Sequence, residues 1–173
     1  MNMNFQQLIR QRESIRSYDT RPVETEKLYR ILEAGHLAPS ACNRQPWKFY
    51  LISEPENLKL MHQCYSGVWL YDAPHILLAA GQRTAAWTRK ADGYNSLETD
   101  LTIAMDHMIL AATAEGIGTC WISNFDPEKL KQSGLFKSEE IIFAFTPLGY
   151  PAKEVGLGKQ KIRNDFSEMV VYL

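Results

Sequence analysis

The pattern of hydrophobic and polar positions divides the chain into helices and three apolar strands. Apolar residues recur at helical spacing over four segments, residues 4–11, 25–34, 54–64 and 99–115. Asp126 followed by Pro127 has the order of an N-cap and a first helical residue, and predicts a fifth helix. Continuous aromatic, β-branched or apolar runs predict strands over residues 47–52, 75–81 and 141–147. Helices around a few strands, without regular βαβ alternation, indicate the α+β class.

The segment over residues 99–115 has the strongest helical pattern. Its apolar positions wrap most of the circumference, so we expect burial nearly all round. In a chain of 173 residues, this predicts a central helix that also packs against a second subunit. Gly116 is expected to end this helix, and Gly35 to follow the end of the second helix. No repeat or linker-like break interrupts the sequence, so residues 1–173 are expected to form one domain.

Composition and charge narrow the function classes. The chain is 45% hydrophobic and 23% charged, which is typical of a globular protein. A formal net charge of −1 provides no broad basic field, so we expect no nucleic-acid partner and only a local anion site. No apolar run approaches the roughly 20 residues that span a bilayer, so no membrane partner is expected. Cys42, Cys64 and Cys120 are too scattered for a disulfide framework, and are expected to be small buried hydrophobes in a cytoplasmic protein.

The sequence lacks the common motifs for side-chain catalysis. Gly116-Ile117-Gly118 follows a helix instead of opening one, and Trp121 stands where a dinucleotide fingerprint needs glycine. The four histidines show no HxxxH or HExxH spacing, and the chain has no GxSxG elbow. If the protein is an enzyme, a cofactor is therefore expected to carry the chemistry.

Two arginines and a serine alternate along the stretch RQRESIRSYD. On a helix, Arg12 and Ser14 would point roughly 200° apart, whereas on an extended segment Arg12, Ser14 and Arg16 share one face. At about 3.3 Å per residue, the two arginines would lie roughly 13 Å apart, too far to bind one phosphate together. This reach suits a long anionic ligand with a phosphate at one end and carbonyl groups further along. The alternative is a solvated basic surface on which Glu13 is the ionic partner.

The loop APSACNRQPW is a second candidate site. It contains Pro39, Ser40, Asn43 and Gln45, and its two amides can both donate and accept hydrogen bonds. Such amides suit a ring edge that carries carbonyl groups and an N–H. The alternative is a helix-to-strand loop that is simply rich in turn residues.

Two further stretches complete the candidates. The glycines of residues 116–121 would let backbone N–H groups approach a flat ligand closely. Lys161 and Arg163 alternate in the C-terminal tail as Arg12 and Arg16 do near the start.

Taken in order, these stretches resemble the FMN-dependent nitroreductase family. The resemblance covers nearly the whole chain and rests on six motifs: RESIRSY, APSACNRQPWKF, DAPHILLAA, DLTIAMDHMILAATAEGIGTCWI, PLGYP and KIRNDF. It implies an α-β-α sandwich with a small central, mainly antiparallel sheet flanked by helices. It also implies an obligate homodimer with FMN at the interface, to which both subunits contribute. The tail, from about residue 160 to residue 173, would reach the partner subunit.

The resemblance assigns roles along the FMN molecule. Arg12 and Ser14 would hold the phosphate end, joined by Lys161 and Arg163. Arg16 would reach the pyrimidine side of the flavin, where a positive charge stabilises the anionic reduced ring.

The remaining implied contacts lie along the ribityl chain and the ring. The second loop would supply four of them, from Pro39, Ser40, Asn43 and Gln45, with the two amides near the ribityl chain and the ring. Gly118 and Thr119 would lie beside the redox edge of the flavin, with backbone N–H groups near N5.

The activity that the resemblance implies is that of a ping-pong oxidoreductase. NAD(P)H would reduce the flavin, and a nitroaromatic, a quinone or another electron-poor small molecule would then accept the electrons. A flavin enzyme of different specificity (reductive dehalogenation or metabolite dehydrogenation) and a non-catalytic FMN-binding module are the alternatives. The chain lacks the mid-chain helical insertion of longer members, and Trp87, Arg89 and Tyr94 either cover the pocket instead or belong to an ordinary exposed loop.

Overall fold

A computed structural model of the protein describes residues 3–152 and 161–173. Its helices are α1 (Phe5–Gln11), α2 (Thr25–His36), α3 (Pro55–Cys64), α4 (Leu97–Ala114), α5 (Pro127–Gln132) and α6 (Phe166–Met169). Its strands are β1 (Trp47–Ile52), β2 (His75–Gly81) and β3 (Ile141–Leu148), and short 3₁₀ turns occupy Ala41–Asn43 and Val68–Asp72. The bounds predicted for the first two strands are confirmed, and the third runs one residue further than predicted. The predicted start of the tail, near residue 160, lies outside the described residues.

The three strands form an antiparallel sheet with β2 in the middle. Alternate β2 side chains face opposite layers: Leu77 and Ala79 pack with α2 and α4, whereas Ile76 and Leu78 pack with α3 and α5. Every β2 residue is therefore buried, which explains why this strand is apolar without alternation. The predicted α+β class, with a small antiparallel sheet between helices, is confirmed.

Helix α2 corrects the position expected for Gly35. The helix continues to His36, and Leu37 is its C-cap residue, so Gly35 lies inside the last turn. A Cβ atom at Gly35 would lie 2.7 Å from the Met108 side chain, and glycine therefore lets α2 approach α4 closely. The predicted N-cap of α5 is confirmed, since the Asp126 side chain accepts hydrogen bonds from the first-turn amides.

Helix α4 is buried on one broad face and not nearly all round. Eight of its residues are buried, among them Leu101, Met105 and Met108. Ile103 and Leu110 remain half-buried within this chain, and Thr102 is exposed. The described part of one chain therefore leaves some apolar side chains of α4 partly exposed to solvent.

The cysteines separate into two environments. Cys64 and Cys120 are buried and free, as expected of small hydrophobes, whereas Cys42 is exposed. The expectation for Cys42 was wrong because this residue lies in a tight turn at the protein surface. Among the helices of residues 3–152 and 161–173, none has the length and hydrophobicity that a membrane-spanning segment needs.

Candidate functional site

The Arg12–Arg16 segment is extended, as its alternating pattern predicts. Helix α1 ends at Gln11, and Arg12 is its C-cap residue with a ψ of 122°. Ser14 then forms a parallel bridge with Thr119, and the Ile15 N–H donates to the Thr119 carbonyl at 2.8 Å. Ile15 is only 3% exposed, so Ser14 and Arg16 lie on the opposite, outer face of the segment. Two stretches that are far apart in sequence therefore form one surface.

The expected role of Gly118 as a backbone donor needs correction. Its N–H donates to the Gly149 carbonyl at 2.8 Å. The N–H of Cys120, two residues further on, donates to the Thr146 hydroxyl at 2.9 Å. A Cβ atom at position 118 would lie 3.0 Å from three side-chain carbons of Ile15. Glycine is needed here for the close approach of two protein segments, whatever ligand binds beside them.

Arg12, Lys161 and Arg163 lie together at one end of this surface, and Arg16 lies further along the extended segment. Within the described part of the chain, Arg12, Arg16, Lys161 and Arg163 form no ion pair. Burial and the neighbouring charges of Arg12 and Arg163 lower the pKa of Lys161. The Lys161 ammonium donates to the Ile9 carbonyl at 2.5 Å, which fixes it beside α1. Such a cluster is arranged to bind an anion.

Glu13 acts on this cluster through its charge, which raises the pKa of Lys161 against the larger effects of burial, Arg12 and Arg163. It forms no ion pair with a described residue, and its Oε1 atom is buried without a hydrogen-bond partner there. The alternative of a solvated basic surface with Glu13 as its ionic partner is thus supported by no direct ion pair among the described residues.

Cys120 and Tyr18 are buried directly behind the Arg12–Arg16 strip, which is the outer face formed by Arg12, Ser14 and Arg16. Burial raises the pKa of the Cys120 thiol, although the Arg16 charge and the Ser14 hydroxyl act in the opposite direction. The Tyr18 hydroxyl donates to the Ile15 carbonyl at 2.7 Å and helps to fix the segment between Ser14 and Arg16. Burial also raises the pKa of Tyr18, so both groups are neutral at physiological pH. They support the strip and add no charge to it.

The second candidate loop is held in a strained conformation. Cys42, Asn43 and Gln45 have φ values of 51°, 51° and 48°, in the left-handed region that side chains other than glycine rarely adopt. The Ser40 hydroxyl accepts from the Gln45 N–H at 2.9 Å, and the Gln45 side-chain amide donates to Asn43 Oδ1 at 3.0 Å. Strain of this kind is typical of ligand sites, where the surrounding structure maintains it.

A groove runs beside this loop and contains two aromatic residues. Trp87 and Tyr94 line it together with Pro39, Ser40 and the first turns of α4. Arg89, by contrast, pairs with Asp92 on the exposed side of the same segment. The fold therefore places two of the three residues of this region beside the predicted site.

The two candidate clusters lie at opposite ends of α4 within one chain, since the loop is bonded to Asp100 in its first turn and the strip is bridged to Thr119 beyond its last. No hydrogen bond or ion pair among residues 3–152 and 161–173 joins the Arg12–Arg16 strip to the Pro39–Gln45 loop. The strip is continuous with residues 118 and 119 and the C-terminal cations, whereas the loop is continuous with α4 and the aromatic groove.

Sequence reasoning missed one residue of this second cluster, Asp100. It lies on the buried face of α4, and its carboxyl group accepts a hydrogen bond from the Ala41 N–H at 2.9 Å. The signal was present, because position 100 falls four residues before Ala104 and eight before Met108, on the same apolar face. A lone acidic residue on an otherwise buried face is expected to have a specific partner.

The fold, the cation strip and the strained loop define an α+β protein with a candidate site for an anionic ligand. Residues 9–65 and 55–150 match the sequence profile of the Nitroreductase family. A proposed NADH dehydrogenase/NAD(P)H nitroreductase of Archaeoglobus fulgidus is 31% identical over 153 residues, which are 85% of this chain and 85% of the relative. The chain belongs to the nitroreductase family.

Solved structures agree with this assignment. A nitroreductase family protein of Clostridium difficile 630 is similar with a TM-score of 0.89 and 32% identity, over 98% of both chains. A proposed nitroreductase of Desulfovibrio desulfuricans, crystallised in complex with FMN, is similar with a TM-score of 0.82 and 28% identity. That likeness covers 99% of this chain and 98% of the other.

Proposed function

We propose that this protein is an FMN-dependent oxidoreductase that takes electrons from NAD(P)H and reduces nitroaromatics, quinones or similar electron-poor acceptors. The observation that carries the proposal is the cluster of Arg12, Arg16, Lys161 and Arg163, which has no acidic partner among the described residues. A phosphate monoester supplies the charge that such a cluster lacks. Bound FMN would supply the redox chemistry, accepting hydride from NAD(P)H and passing electrons to the acceptor at the same face.

The residues of the strip have distinct tasks along the cofactor. Arg12 and the Ser14 hydroxyl bind the phosphate together with Lys161 and Arg163. Arg16, two residues further along the extended segment, reaches the pyrimidine side of the ring, where its charge favours the reduced, anionic form. Ile15 points inward and fixes the direction of its two neighbours.

The remaining proposed FMN contacts come from the Pro39–Gln45 loop and from residues 118 and 119. Pro39 and Ser40 line the groove beside the ring, and Asn43 and Gln45 present amides to the ribityl chain and the ring. Gly118 and Thr119 are assigned to the redox edge of the flavin, on a segment that the bridge between Ser14 and Thr119 joins to the strip. The Gly118 N–H is engaged with Gly149, so it is not among the donors to the ring. No side chain acts as an acid or base, and the protein supplies position and a cationic field.

The active form in this proposal is a homodimer in which each FMN contacts both subunits. This arrangement is supported by the separation of the two clusters within one chain. It is also supported by unburied apolar side chains in the tail, where Phe166 and Met169 are 73% and 69% exposed, and by half-buried Ile103 and Leu110 on α4.

Anaerobic reduction of the FMN-loaded protein tests the function. NADH or NADPH should bleach the yellow colour, and a nitroaromatic or a quinone added afterwards should restore it. Parallel double-reciprocal plots should accompany turnover, since one site serves both substrates in succession. Colour that persists with both nucleotides would instead identify a non-catalytic flavin-binding module. A protein that cannot be loaded with FMN would contradict both.

A further inference from the structure

We propose that Asp100 is a positioning residue that holds the Ser40–Gln45 loop in the conformation that receives the cofactor. The inference rests on the proposed function, because it takes this loop to be part of the FMN site. It assigns to a residue of α4 a task in cofactor binding that Asp100 performs through the backbone of the loop.

The hydrogen bonds of Asp100 connect the loop to α4. The residue is 2% exposed, and its Oδ1 atom accepts from the Ala41 N–H at 2.9 Å. Its Oδ2 atom accepts from the Ser96 hydroxyl at 2.8 Å, and Ser96 is also 2% exposed. The carboxyl group is therefore fixed from both sides, by the Ala41 N–H and by the Ser96 hydroxyl. One end of this chain of contacts lies in the helix and the other in the loop.

A carboxyl group is a costly choice for this position. Burying one is unfavourable unless it is paired or hydrogen-bonded, and no described cation forms an ion pair with Asp100. Its hydrogen-bond partners in the described residues are the neutral Ala41 N–H and Ser96 hydroxyl. An apolar residue would continue the buried face of α4 without that cost. The carboxyl group is therefore explained by what it binds, which is the first amide of the loop turn.

The loop needs such an anchor because its own conformation is unfavourable. Three of its residues, Cys42, Asn43 and Gln45, adopt left-handed backbone angles that side chains other than glycine rarely adopt. The loop's internal hydrogen bonds involve exposed amides that water can replace. The hydrogen bond from the Ala41 N–H to Asp100 has a buried acceptor, and Ala41 is the first residue of the 3₁₀ turn. Without it, the loop is free to relax to ordinary backbone angles.

Titration of the apoprotein with FMN tests this role. Asp100→Ala should raise the Kd for FMN by about tenfold or more, because the loop must then be ordered at the expense of binding. Asp100→Asn keeps an acceptor for the Ala41 N–H and should bind within about threefold of the unsubstituted protein. The visible circular dichroism of the bound flavin should change in the alanine variant and be restored in the asparagine variant.

Ala41→Pro removes the other partner of the same hydrogen bond and leaves α4 untouched. Ser40 is extended, with φ −138° and ψ 158°, which is compatible with a proline after it, and the φ of proline suits a 3₁₀ turn. Ala41→Pro should weaken FMN binding to a similar extent as Asp100→Ala. The double variant should be scarcely weaker than either single one, since both remove one interaction. If Asp100→Ala fails to fold, Ala41→Pro alone still decides the question.

Thr102→Ala is the matched control, because Thr102 lies on the same helix and is exposed, and among the described residues its hydroxyl bonds only to the Glu98 carbonyl. It should leave the Kd and the flavin spectrum unchanged. A lower melting temperature for Asp100→Ala, with unchanged Kd and spectrum, would overturn the positioning role, and so would additive effects in the double variant. Failure of the unsubstituted protein to bind FMN would instead refute the proposed function.

Discussion

Arg12 and Arg16 have the same charge on the same strip, yet they are expected to affect a bound flavin differently. In the proposed site Arg12 binds the phosphate, so Arg12→Ala should raise the Kd for FMN by about ten- to a hundredfold, the factor that corresponds to a hydrogen bond between charged groups. Arg16 is proposed to reach the ring, so Arg16→Ala should weaken binding and also lower the reduction potential of the flavin. Equilibrium titration and dye-coupled potentiometry measure the two effects.

The two arginine variants serve as controls for each other, since each removes one positive charge. If both lowered the potential equally, the effect would be that of the general field and not of contact with the ring. An unchanged potential in Arg16→Ala would count against its assigned position.

His75 provides a pH-dependent contribution to stability. It accepts from the Val23 N–H through Nε2 at 3.3 Å, so the ring proton is on Nδ1, which lies 2.7 Å from the Ser53 hydroxyl. Burial lowers the pKa of His75. In the unfolded chain this histidine binds a proton near pH 6.5, whereas in the folded chain it does so only at lower pH. The neutral, buried His75 therefore contributes to the free energy of unfolding above that pH, and this contribution is lost as the pH falls.

His75→Gln should make the free energy of unfolding less dependent on pH between pH 7.5 and 5.5. One proton changes this free energy by at most about 1.4 kcal/mol per pH unit, and urea titrations at the two pH values measure the slope. A residual slope is expected, because burial also lowers the pKa of His62. An identical slope in the variant and the unsubstituted protein would disprove the assignment.

At the scale of elements, two glycines near the end of α4 are predicted to behave differently. Gly118→Ala would place a Cβ atom 3.0 Å from three carbons of Ile15, displace the strip, and cost about 1–3 kcal/mol of stability. Gly116 has a φ of 73° and open space around it, so Gly116→Ala should cost about 1 kcal/mol through backbone strain alone. FMN affinity should fall in the first variant and not in the second.

Denaturant unfolding and FMN titration of both variants check this difference. Ile15→Ala removes two of the three carbons that a new Cβ would meet, so it should partly rescue the FMN affinity of Gly118→Ala. Equal losses of affinity in the two glycine variants would show that the contact with Ile15 is unimportant.

Element types were predictable because their signals are local. The apolar runs of β1 and β2 gave the correct bounds, and the pair Asp126 and Pro127 marked the start of α5. Gly35 was misplaced because glycine after a helix and glycine in a close helix contact look alike in sequence. Only the side chain of Met108, packed against it from another helix, distinguishes the two cases.

At the scale of the whole molecule, the proposed dimer predicts that two defective subunits can complement each other. One variant carries Arg12→Ala and Arg16→Ala, and the other carries Asn43→Ala and Gln45→Ala. If each FMN contacts the strip of one subunit and the loop of the other, refolding an equal mixture restores about a quarter of the sites. FMN content and NAD(P)H oxidation of the mixture measure the recovery.

Each variant refolded alone is the control and should remain inactive. Recovery in the mixture would show that the two clusters of one site come from different subunits. A mixture that stays as inactive as its components, although sedimentation shows dimers, would place both clusters of a site in the same chain.

The sequence by itself determined the helices α1 to α5 and the three strands, and that Arg12, Ser14 and Arg16 share a face. These properties depend on residues only a few positions apart, through the periods of the helix and the extended chain. It also determined family membership, since the motifs occur in order along nearly the whole chain.

Only the tertiary structure decided which segments meet. Packing of α4 against the sheet places Thr119 beside Ser14, pairs the Gly118 N–H with Gly149, and brings Asp100 to the amide of Ala41. These contacts join residues that are far apart in the chain, and no local pattern specifies such partners. The strip and the loop were therefore visible in the sequence, whereas the bridge and the buried carboxyl group that support them emerged only once the core was packed.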